Sequence, residues 1–483
     1  MNKLIQIPVI LGLNLAFVVG ESSALAFDTS WGILQRGKLE QIIKKSKISE
    51  SQMGIFVAAG EGEGLIVKAH QADKKLIPAS ISKLAIAATT LSEFPPGTKF
   101  KTTIWGSGSI DRGVLKGNLI LKGGGDPSFV SENLWYLVNV FTRRQIKTIE
   151  GDLIVDDSYF DRIRLDSSRQ KERVDRAYDA PAGAMSFNWN SVNIFIRPGK
   201  NPGDPAQVFA DPENDYIRLK AKVETTKSGG KTAVTAERDE DTKGVGDVLI
   251  VNGKIAADSK ELVIYKNVTQ PDLWSGYNLK SFLKQRGIEI TGSVKTGGLP
   301  SSAQILAESE SKPVEDVLAD MNKFSNNYIA EMLTKNVAAN EKPPGTIDGG
   351  VQVIRKFLAQ IGLSPEQFEI YSPSGLTREN KMSAKSLWKV LSYMKDQYRY
   401  APEFMKSLPI AGIDGTLKHR MKDSPAERWV RAKTGYLTGV VSLAGYAGRK
   451  DGTVIPFVFI YNGSADESQV RGLFDQLAIS LTE

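Results

Sequence analysis

Three short polar segments of this chain carry side chains that could support nucleophilic catalysis. In chain order they are Ser80-Ile81-Ser82-Lys83, Ser325-Asn326-Asn327 and Lys433-Thr434-Gly435. A serine hydroxyl is a weak nucleophile until a neighbouring base accepts its proton. Because Ser80 and Lys83 are three residues apart, a helix would place both side chains on one face. These residue types therefore predict a serine nucleophile with a lysine as its base.

The histidine and cysteine content of the chain limits which residues could act as base and nucleophile. The only two histidines, His70 and His419, lie in no recognisable triad motif, which disfavours a Ser-His-Asp arrangement without excluding it. The absence of cysteine excludes a disulfide framework, a zinc-thiolate site and a cysteine nucleophile. Lysine is therefore the favoured base, and it can accept a proton only in its neutral form, which burial favours.

The second segment has two interpretations. If it connects two helices, Ser325 could pass a proton to a leaving amine and Asn327 could hold a substrate amide. Serine and asparagine are also preferred helix caps, and for this segment taken alone a capping pair is the more ordinary interpretation.

The third segment lies at the end of an expected strand. Lys433 and Thr434 could bind a free carboxylate, and Gly435 would let a substrate backbone approach closely. The backbone N–H groups of Tyr436 and Ser80 could together stabilise a tetrahedral oxyanion. The alternative is an ordinary strand end followed by a glycine turn.

The elements expected around these segments come from both ends of the chain. A helix over Lys38–Lys47, strands over Met53–Ala59 and Leu65–Ala69 and a helix from Pro78 to Leu91 are expected first. Near the C-terminus, strands over 429–433, 439–448 and 453–461 precede a helix over 466–481. Strands from the two ends can share one sheet when the termini lie close together. Pro456 favours an edge position for the last strand.

The middle of the chain has a different pattern, in which strand-like runs predominate. Strand-like runs such as Asn118–Leu121, Asp152–Val155 and Asp247–Val251 recur between residues 95 and 309, separated by glycine-rich turns. We expect a mostly β insertion, divided into two modules. Helices are expected again over Pro313–Leu318 and Tyr328–Val337.

The N-terminus predicts export. Lys3 precedes an apolar run from Leu4 to Gly20, and Ser22-Ser23-Ala24-Leu25-Ala26 follows, a pattern typical of a secretory signal cleaved after Ala26. An uncleaved membrane anchor is the alternative. The net charge of +7 is spread along the chain, so nucleic acid is not expected as a partner and membrane association is at most peripheral.

Together the three motifs resemble those of low-molecular-mass penicillin-binding proteins. More closely, the chain resembles the large D-alanyl-D-alanine carboxypeptidases/endopeptidases with domains inserted between the first two motifs, because Ser80 and Ser325 are 245 residues apart. Four further stretches carry the resemblance along nearly the whole mature chain: Pro78–Leu91, Leu121–Ser128, Tyr178–Asn188 and Leu408–Leu417.

The resemblance implies an α+β fold. Its transpeptidase domain, an antiparallel sheet flanked by helices, would comprise residues 27–95 and 310–483, with a mostly β inserted region at 96–309. Within the insertion, Val155–Phe160 resembles the wall of a side pocket that reads the dibasic residue of the peptide stem. This would make Asp156 and Phe160 substrate contacts, although a strand-ending turn is an equally good interpretation.

The resemblance also implies an activity. The chain would be a serine-type D-Ala-D-Ala carboxypeptidase, endopeptidase or both, forming an acyl-enzyme on Ser80 with peptidoglycan stem peptides and with β-lactams, without metal or organic cofactor. Two departures, Ser372-Pro373 before Ser374-Gly375-Leu376 and Tyr436 after the third motif, bear on efficiency. The alternatives are a β-lactamase or esterase with the same motifs and a catalytically weak wall-binding protein.

Overall fold

A computed structural model describes residues 29–59, 64–166, 175–239 and 244–483. The predicted signal sequence, residues 1–26, lies outside the described residues, as does most of the glycine-rich turn at residues 60–64. In the described part, none of the helices is both long and apolar enough to cross a membrane.

The first elements agree closely with those expected from the sequence. They are α1 (Thr29–Ser46), β1 (Met53–Ala59), β2 (Leu65–His70) and α2 (Lys83–Glu93). A single 3₁₀ turn, Ala79–Ser82, leads directly into α2. The first helix is longer than predicted, but the apolar residues Leu39 and Ile43 that predicted it are buried.

The middle of the chain is mostly strand, as predicted, with two helices. Its elements are β3 (Lys101–Asp111), β4 (Val114–Gly123), α3 (Ser131–Thr142), β5 (Thr148–Ile149), β6 (Leu153–Asp156), β7 (Ser191–Arg197), β8 (Gln207–Asp211), β9 (Ile217–Thr226), β10 (Ala233–Arg238), β11 (Asp247–Ala256), β12 (Leu262–Asn267), α4 (Pro271–Gln285), β13 (Glu289–Ile290), β14 (Val294–Thr296) and β15 (Gln304–Glu310).

The last part returns to helices and ends on three long strands and a helix. Its elements are α5 (Val314–Lys323), α6 (Asn327–Glu341), α7 (Ile347–Gln360), β16 (Phe368–Glu369), β17 (Lys381–Met382), α8 (Ala384–Asp396), α9 (Ala401–Ser407), β18 (Val430–Leu437), β19 (Val440–Gly448), β20 (Val454–Asn462) and α10 (Glu467–Leu481).

One antiparallel sheet joins strands from both ends of the chain, in the order β18-β19-β20-β1-β2. Alternate residues of β1 face opposite sides, as the pleat of a strand requires. Phe56 and Ala58 pack in a core with α2 and α8, whereas Ile55 and Val57 pack in a second core with α1 and α10. The sheet is therefore covered by helices on both faces, which confirms the α+β class.

The prediction that Pro456 would place the last strand near an edge is wrong. β20 lies between β19 and β1, and its pairing with β1 ends at Phe457, opposite Val57. Beyond that pair, the indole Nε1 of Trp388 donates to the carbonyls of Pro456 and Ala58, at 3.1 and 3.3 Å. Pro456 has no N–H to donate across the sheet, and the Trp388 indole donates to the Ala58 carbonyl instead. The proline is therefore tolerated in a central strand.

The insertion contains three sheets around a separate core. A seven-stranded mixed sheet contains β13-β5-β4-β3-β15 together with β6 and β14, and two three-stranded sheets have the orders β10-β11-β9 and β12-β7-β8. Residues from all three sheets and from α3 and α4 form this core. The division into residues 27–95, 96–309 and 310–483, and the two modules within the insertion, stay predictions.

Candidate active site

The segment before Ser80 is held in a strained conformation by the central sheet. Ala79 has a φ of 50°, a left-handed value that non-glycine residues rarely adopt. The Oγ of Ser442 on β19 donates to the carbonyl of Pro78 at 2.7 Å, and the side-chain amide of Asn462 on β20 bonds both backbone groups of Ile77. These contacts fix Ser80 at the start of α2, where it is 8% exposed.

Lys83 joins the first two motifs. Its side chain is fully buried, and its Nζ donates to Ser80 Oγ at 3.1 Å and to Asn327 Oδ1 at 2.9 Å. A third acceptor is the carbonyl oxygen of Ser374. A neutral Lys83 can donate its two N–H groups to Asn327 and to Ser374, which leaves its single lone pair to accept the Ser80 proton.

The third acceptor lies in the loop at Ser372–Leu376, which the sequence singled out only as a departure from the family pattern, without its contact to Lys83. Asn380 Oδ1 accepts from the backbone N–H groups of Tyr371 and Ser372, and its Nδ2 donates to the Ser372 carbonyl. The side chain of Ser372 is buried and bonds Ser374 Oγ at 3.1 Å. The departure at Ser372-Pro373 therefore lies in the support of a carbonyl, and a main-chain contact of this kind leaves no signature in residue type.

The loop also touches the nucleophile segment. Gly375 has a φ of 76°, and a Cβ there would lie 2.3 Å from the carbonyl oxygen of Ala79. Only glycine allows both the left-handed backbone and this close approach. The loop that holds Lys83 and the turn that holds Ser80 are thus packed directly together.

The second motif separates into a cap and two functional side chains. Asn326 is the N-cap of α6, and its Oδ1 accepts from Ile329 N at 3.0 Å. Ser325, with a φ of 54°, and Asn327 take no part in the cap and instead contact Lys433 and Lys83. The interpretation of Ser325 and Asn327 as a capping pair is therefore wrong, and the cap is Asn326, which lies between them.

Lys433 is a second buried lysine in this site. Its Nζ donates to Ser325 Oγ and to the carbonyl of Thr434, both at 2.8 Å. Among the described residues no acidic side chain forms an ion pair with it, and burial lowers the pKa of Lys433 to about 7. Near neutral pH this group therefore exists in both protonation states.

Lys433 is expected to make acylation by carboxylate-bearing substrates pH-dependent. If the protonated amine holds the carboxylate, kcat/KM falls above pH 7 by up to about tenfold per pH unit. In Lys433→Arg the guanidinium stays charged, so the fall should disappear up to about pH 9. Stopped-flow acylation by a penicillin between pH 6 and 9 measures this, and an efficiency that rises above pH 7 in the parent would contradict it.

The third motif lies on an edge strand. β18 is at one end of the five-stranded sheet, and Pro409–Ala411 pair with the outer edge of its first residues, Val430–Ala432. Among the described residues no strand pairs with that edge beyond Ala432, so an extended peptide could pair there. Thr434 Oγ1 bonds Thr416 Oγ1 at 2.9 Å. A Cβ on Gly435 would lie 2.1 Å from Ser442 Oγ and 3.1 Å from Ser80 N, so packing beneath the nucleophile requires glycine here. This reason differs from the substrate approach that the sequence suggested.

Tyr436 is anchored away from the motif lysines. Its hydroxyl donates to Glu467 on α10, a contact that raises the pKa of Tyr436, and Arg471 lies 6.0 Å from the centre of its ring. The ring is half-exposed. These contacts involve only the side chain of Tyr436, and its backbone N–H stays the predicted oxyanion donor.

Asp156 and Phe160 are not brought together with the three motifs. Both side chains are 2% exposed. Asp156 accepts from Ser158 N and Leu299 N at 3.0 and 2.9 Å, and Phe160 stacks on Tyr159. Within the described residues no hydrogen bond links Asp156 to a motif residue, so the role of both residues as pocket contacts stays a prediction.

Another part of the insertion does reach the motifs. Asn327 Nδ2 donates to the carbonyl of Tyr178 at 3.3 Å. Tyr178 and Ser325 also line one open groove of about 1020 Å³ between the insertion and the start of α6. The sequence had singled out Tyr178–Pro181 only for its resemblance, and the structure adds its position beside Asn327.

The reactive groups of the site are hydroxyl, amine and amide side chains. Across the described ranges, no group of three or more histidine, cysteine or acidic side chains is arranged to hold a metal ion. The arrangement provides two sets of contacts, Ser80–Lys83–Asn327 and Ser325–Lys433, which the short segment from Ser325 to Asn327 brings together. Such an arrangement can carry out nucleophilic acyl transfer.

The chain is similar to known proteins along nearly its whole length. The sequence model of the D-Ala-D-Ala carboxypeptidase 3 (S13) family matches residues 35–483. A D-alanyl-D-alanine carboxypeptidase of Actinomadura sp. is 28% identical to the chain, over 96% of this chain and 88% of the relative.

Solved structures agree with the fold. The crystal structure of penicillin binding protein 4 from Haemophilus influenzae superposes with a TM-score of 0.76 at 26% identity, covering 92% of this chain and 98% of that one. A second structure of the same protein, complexed with a β-lactam, gives a TM-score of 0.73 at 25% identity with the same coverage.

Proposed function

The chain belongs to the D-Ala-D-Ala carboxypeptidase 3 (S13) family, and from that membership we propose that it cleaves peptidoglycan stem peptides ending in D-Ala-D-Ala. It is a serine-type peptidase working through an acyl-enzyme. The observation that carries the assignment is the pair of lysine contacts, Lys83 to Ser80 and Lys433 to Ser325, within one site.

In the acylation step, Ser80 Oγ attacks the carbonyl of the penultimate D-alanine and Lys83 takes its proton. The backbone N–H groups of Ser80 and Tyr436 stabilise the oxyanion. Ser325 then gives its proton to the leaving D-alanine amine as the C–N bond breaks, and Lys433 replenishes Ser325. The 2.8 Å contact between Lys433 and Ser325 supports this relay.

Before deacylation, exchange with solvent water removes the proton that Lys83 took from Ser80 and restores the proton that Lys433 gave to Ser325. A water molecule then attacks the ester carbonyl, and the neutral Lys83 accepts its proton and passes it to Ser80 as the C–O bond breaks. During acylation, Lys433 and Thr434 hold the terminal carboxylate and Asn327 holds the substrate amide. An endopeptidase would use the same steps on a cross-linked peptide, for which the edge of β18 beyond its pairing with Pro409–Ala411 offers room.

The same serine is proposed to react with β-lactams. A Haemophilus influenzae relative at 25% identity is known in complex with one, and a strained cyclic amide presents the same carbonyl and carboxylate as the peptide. Because the proposed substrate belongs to the cell wall, we also propose that the protein acts after export, in agreement with the predicted signal at residues 1–26.

Intact-mass spectrometry of the purified protein incubated with a penicillin tests the assignment. One stable penicilloyl adduct per chain, with release of D-alanine from a pentapeptide, is expected. Rapid hydrolysis of the adduct would favour a β-lactamase, and the absence of any adduct would favour a wall-binding protein. Cleavage of cross-linked muropeptides, measured in parallel, separates endopeptidase from carboxypeptidase activity.

A further inference from the structure

The groove beside Ser325 and Asn327 extends well beyond the motif residues. It has a volume of about 1020 Å³, at the upper end of the range for small-molecule sites. Its far wall comes from the insertion and includes Tyr178, Trp189 and Tyr265, and Phe324 stands next to Ser325. None of the proposed catalytic steps uses these four aromatic residues.

All four aromatic side chains are unusually exposed. Their exposed fractions are 51% for Tyr178, 44% for Trp189, 56% for Tyr265 and 71% for Phe324. Within the described residues no partner hydrogen-bonds to the Tyr178 or Tyr265 hydroxyl or to the Trp189 indole N–H. A cluster of exposed aromatic faces with free polar tips is a common mark of a binding surface.

The backbone is strained at the position that presents the tryptophan. Asn188, Trp189 and Asn190 have φ values of 49°, 51° and 50°, three successive residues in the left-handed region. Asparagine tolerates this region, but a tryptophan rarely adopts it and is strained there. Strain of this kind persists only where the surrounding structure enforces it, and it is concentrated at functional sites.

Two asparagine side chains enforce the turn. Asn188 accepts from Ser131 N and donates to Ser131 Oγ, both at 3.0 Å. Asn190 donates to the carbonyl of Pro181 at 2.7 Å and to Ser186 Oγ at 2.8 Å. The polar residues thus hold the turn from both sides, and the large aromatic residue between them is left exposed in the groove.

The charges lining the groove indicate what kind of ligand it accepts. Lys312, the only basic residue among its described lining residues, is 3.0 Å from Asp320 in an ion pair. Glu132 and Asp211 also line the groove and add negative charge. An anionic segment of a stem peptide would find no spare cation here. The carboxylates of Glu132 and Asp211 can accept hydrogen bonds from the hydroxyl and amide groups of a neutral polar ligand, which the exposed aromatic faces also suit.

We propose that this groove binds an N-acetylated amino sugar of the glycan strand to which the substrate peptide is attached. The C–H face of a pyranose ring stacks on an aromatic face, and its hydroxyl and acetamido groups pair with the polar tips of Tyr178, Trp189 and Tyr265. A stem of four residues spans at most about 14 Å, so the sugar lies near the site when the peptide is bound. This inference rests on the proposed function.

The kinetic test compares two substrates that differ only in the sugar. D-Alanine release is measured from a pentapeptide and from the same pentapeptide attached to its disaccharide. In Trp189→Ala, KM for the disaccharide-peptide should rise about tenfold more than KM for the free peptide. Trp135 is a second exposed tryptophan, on α3 and outside the groove lining, so Trp135→Ala is the matched control and should change neither KM.

A binding measurement keeps the inference separate from the proposed activity. Tetra-N-acetylchitotetraose, which contains no peptide, is titrated against the full chain and against Trp189→Ala by isothermal calorimetry. Binding lost in the variant supports the inference even if the protein releases no D-alanine. Equal KM shifts for both substrates would instead assign the groove to the peptide, and absence of oligosaccharide binding with no KM difference would overturn it.

Discussion

Replacing Ser80 by alanine is expected to abolish the penicilloyl adduct and to lower D-alanine release by about 10⁶-fold. The variant loses the atom that forms the ester, and Ser325, the other serine of the three motifs with a lysine contact, bonds Lys433 and not the proposed base Lys83. Intact-mass spectrometry and a coupled D-alanine assay measure the two losses. Because Ser80 is already nearly buried and alanine is smaller, the fold should be retained.

Ser82→Ala is the matched control, since Ser82 lies on the same short turn and is also buried. Its Oγ has no hydrogen-bond partner among the described residues, so its loss should leave acylation within about threefold of the parent. A penicilloyl adduct that survives in Ser80→Ala, or that disappears in both variants, would refute the assignment of the nucleophile.

Replacing Lys83 by methionine is expected to slow acylation by about 10⁴-fold, at the upper limit for the loss of a general base. Methionine fills most of the same volume, so the buried site stays packed. Ser80 keeps its place on the 3₁₀ turn but loses its proton acceptor, and Asn327 Oδ1 loses its donor at 2.9 Å. The rate constant for adduct formation, measured by quenched-flow mass spectrometry, checks this.

Lys335→Met separates the chemical effect from a structural one. Lys335 is also fully buried, but its Nζ pairs with Asp161 and the carbonyl of Ile163. Removing it should cost about 3 kcal/mol of unfolding free energy while acylation remains near the parent rate. If both variants lost acylation equally, the effect of Lys83→Met would reflect folding and Lys83 would not be the base.

How well each part of the site could be predicted depends on how local its determinants are. Ser80 and Lys83 were predictable because three residues of helix fix their relation, whatever the rest of the chain does. The paired strands at Met53–Ala59 and 454–462 were predictable because both are long apolar runs.

The remainder depends on contacts between distant segments. The Ser374 carbonyl reaches Lys83 only because Asn380 folds its loop, and the residue type of Ser374 carries no trace of that role. Pro456 is tolerated in a central strand only because Trp388 lies beside it. The identity of the cap at Asn326 could not be separated from that of its two neighbours, since all three are residue types that favour caps.

The shared sheet also determines when the active site can form during synthesis. Ile77, just ahead of the nucleophile, is held by Asn462, 385 residues later, and Lys433 lies on a strand of the same sheet. Pairing over such a sequence separation carries a large loop-closure cost and makes for slow folding. A chain that stops before residue 430 contains Ser80 and Lys83 but lacks the strands that hold them. The enzyme therefore cannot begin to cut peptide bonds until almost its entire length has been made.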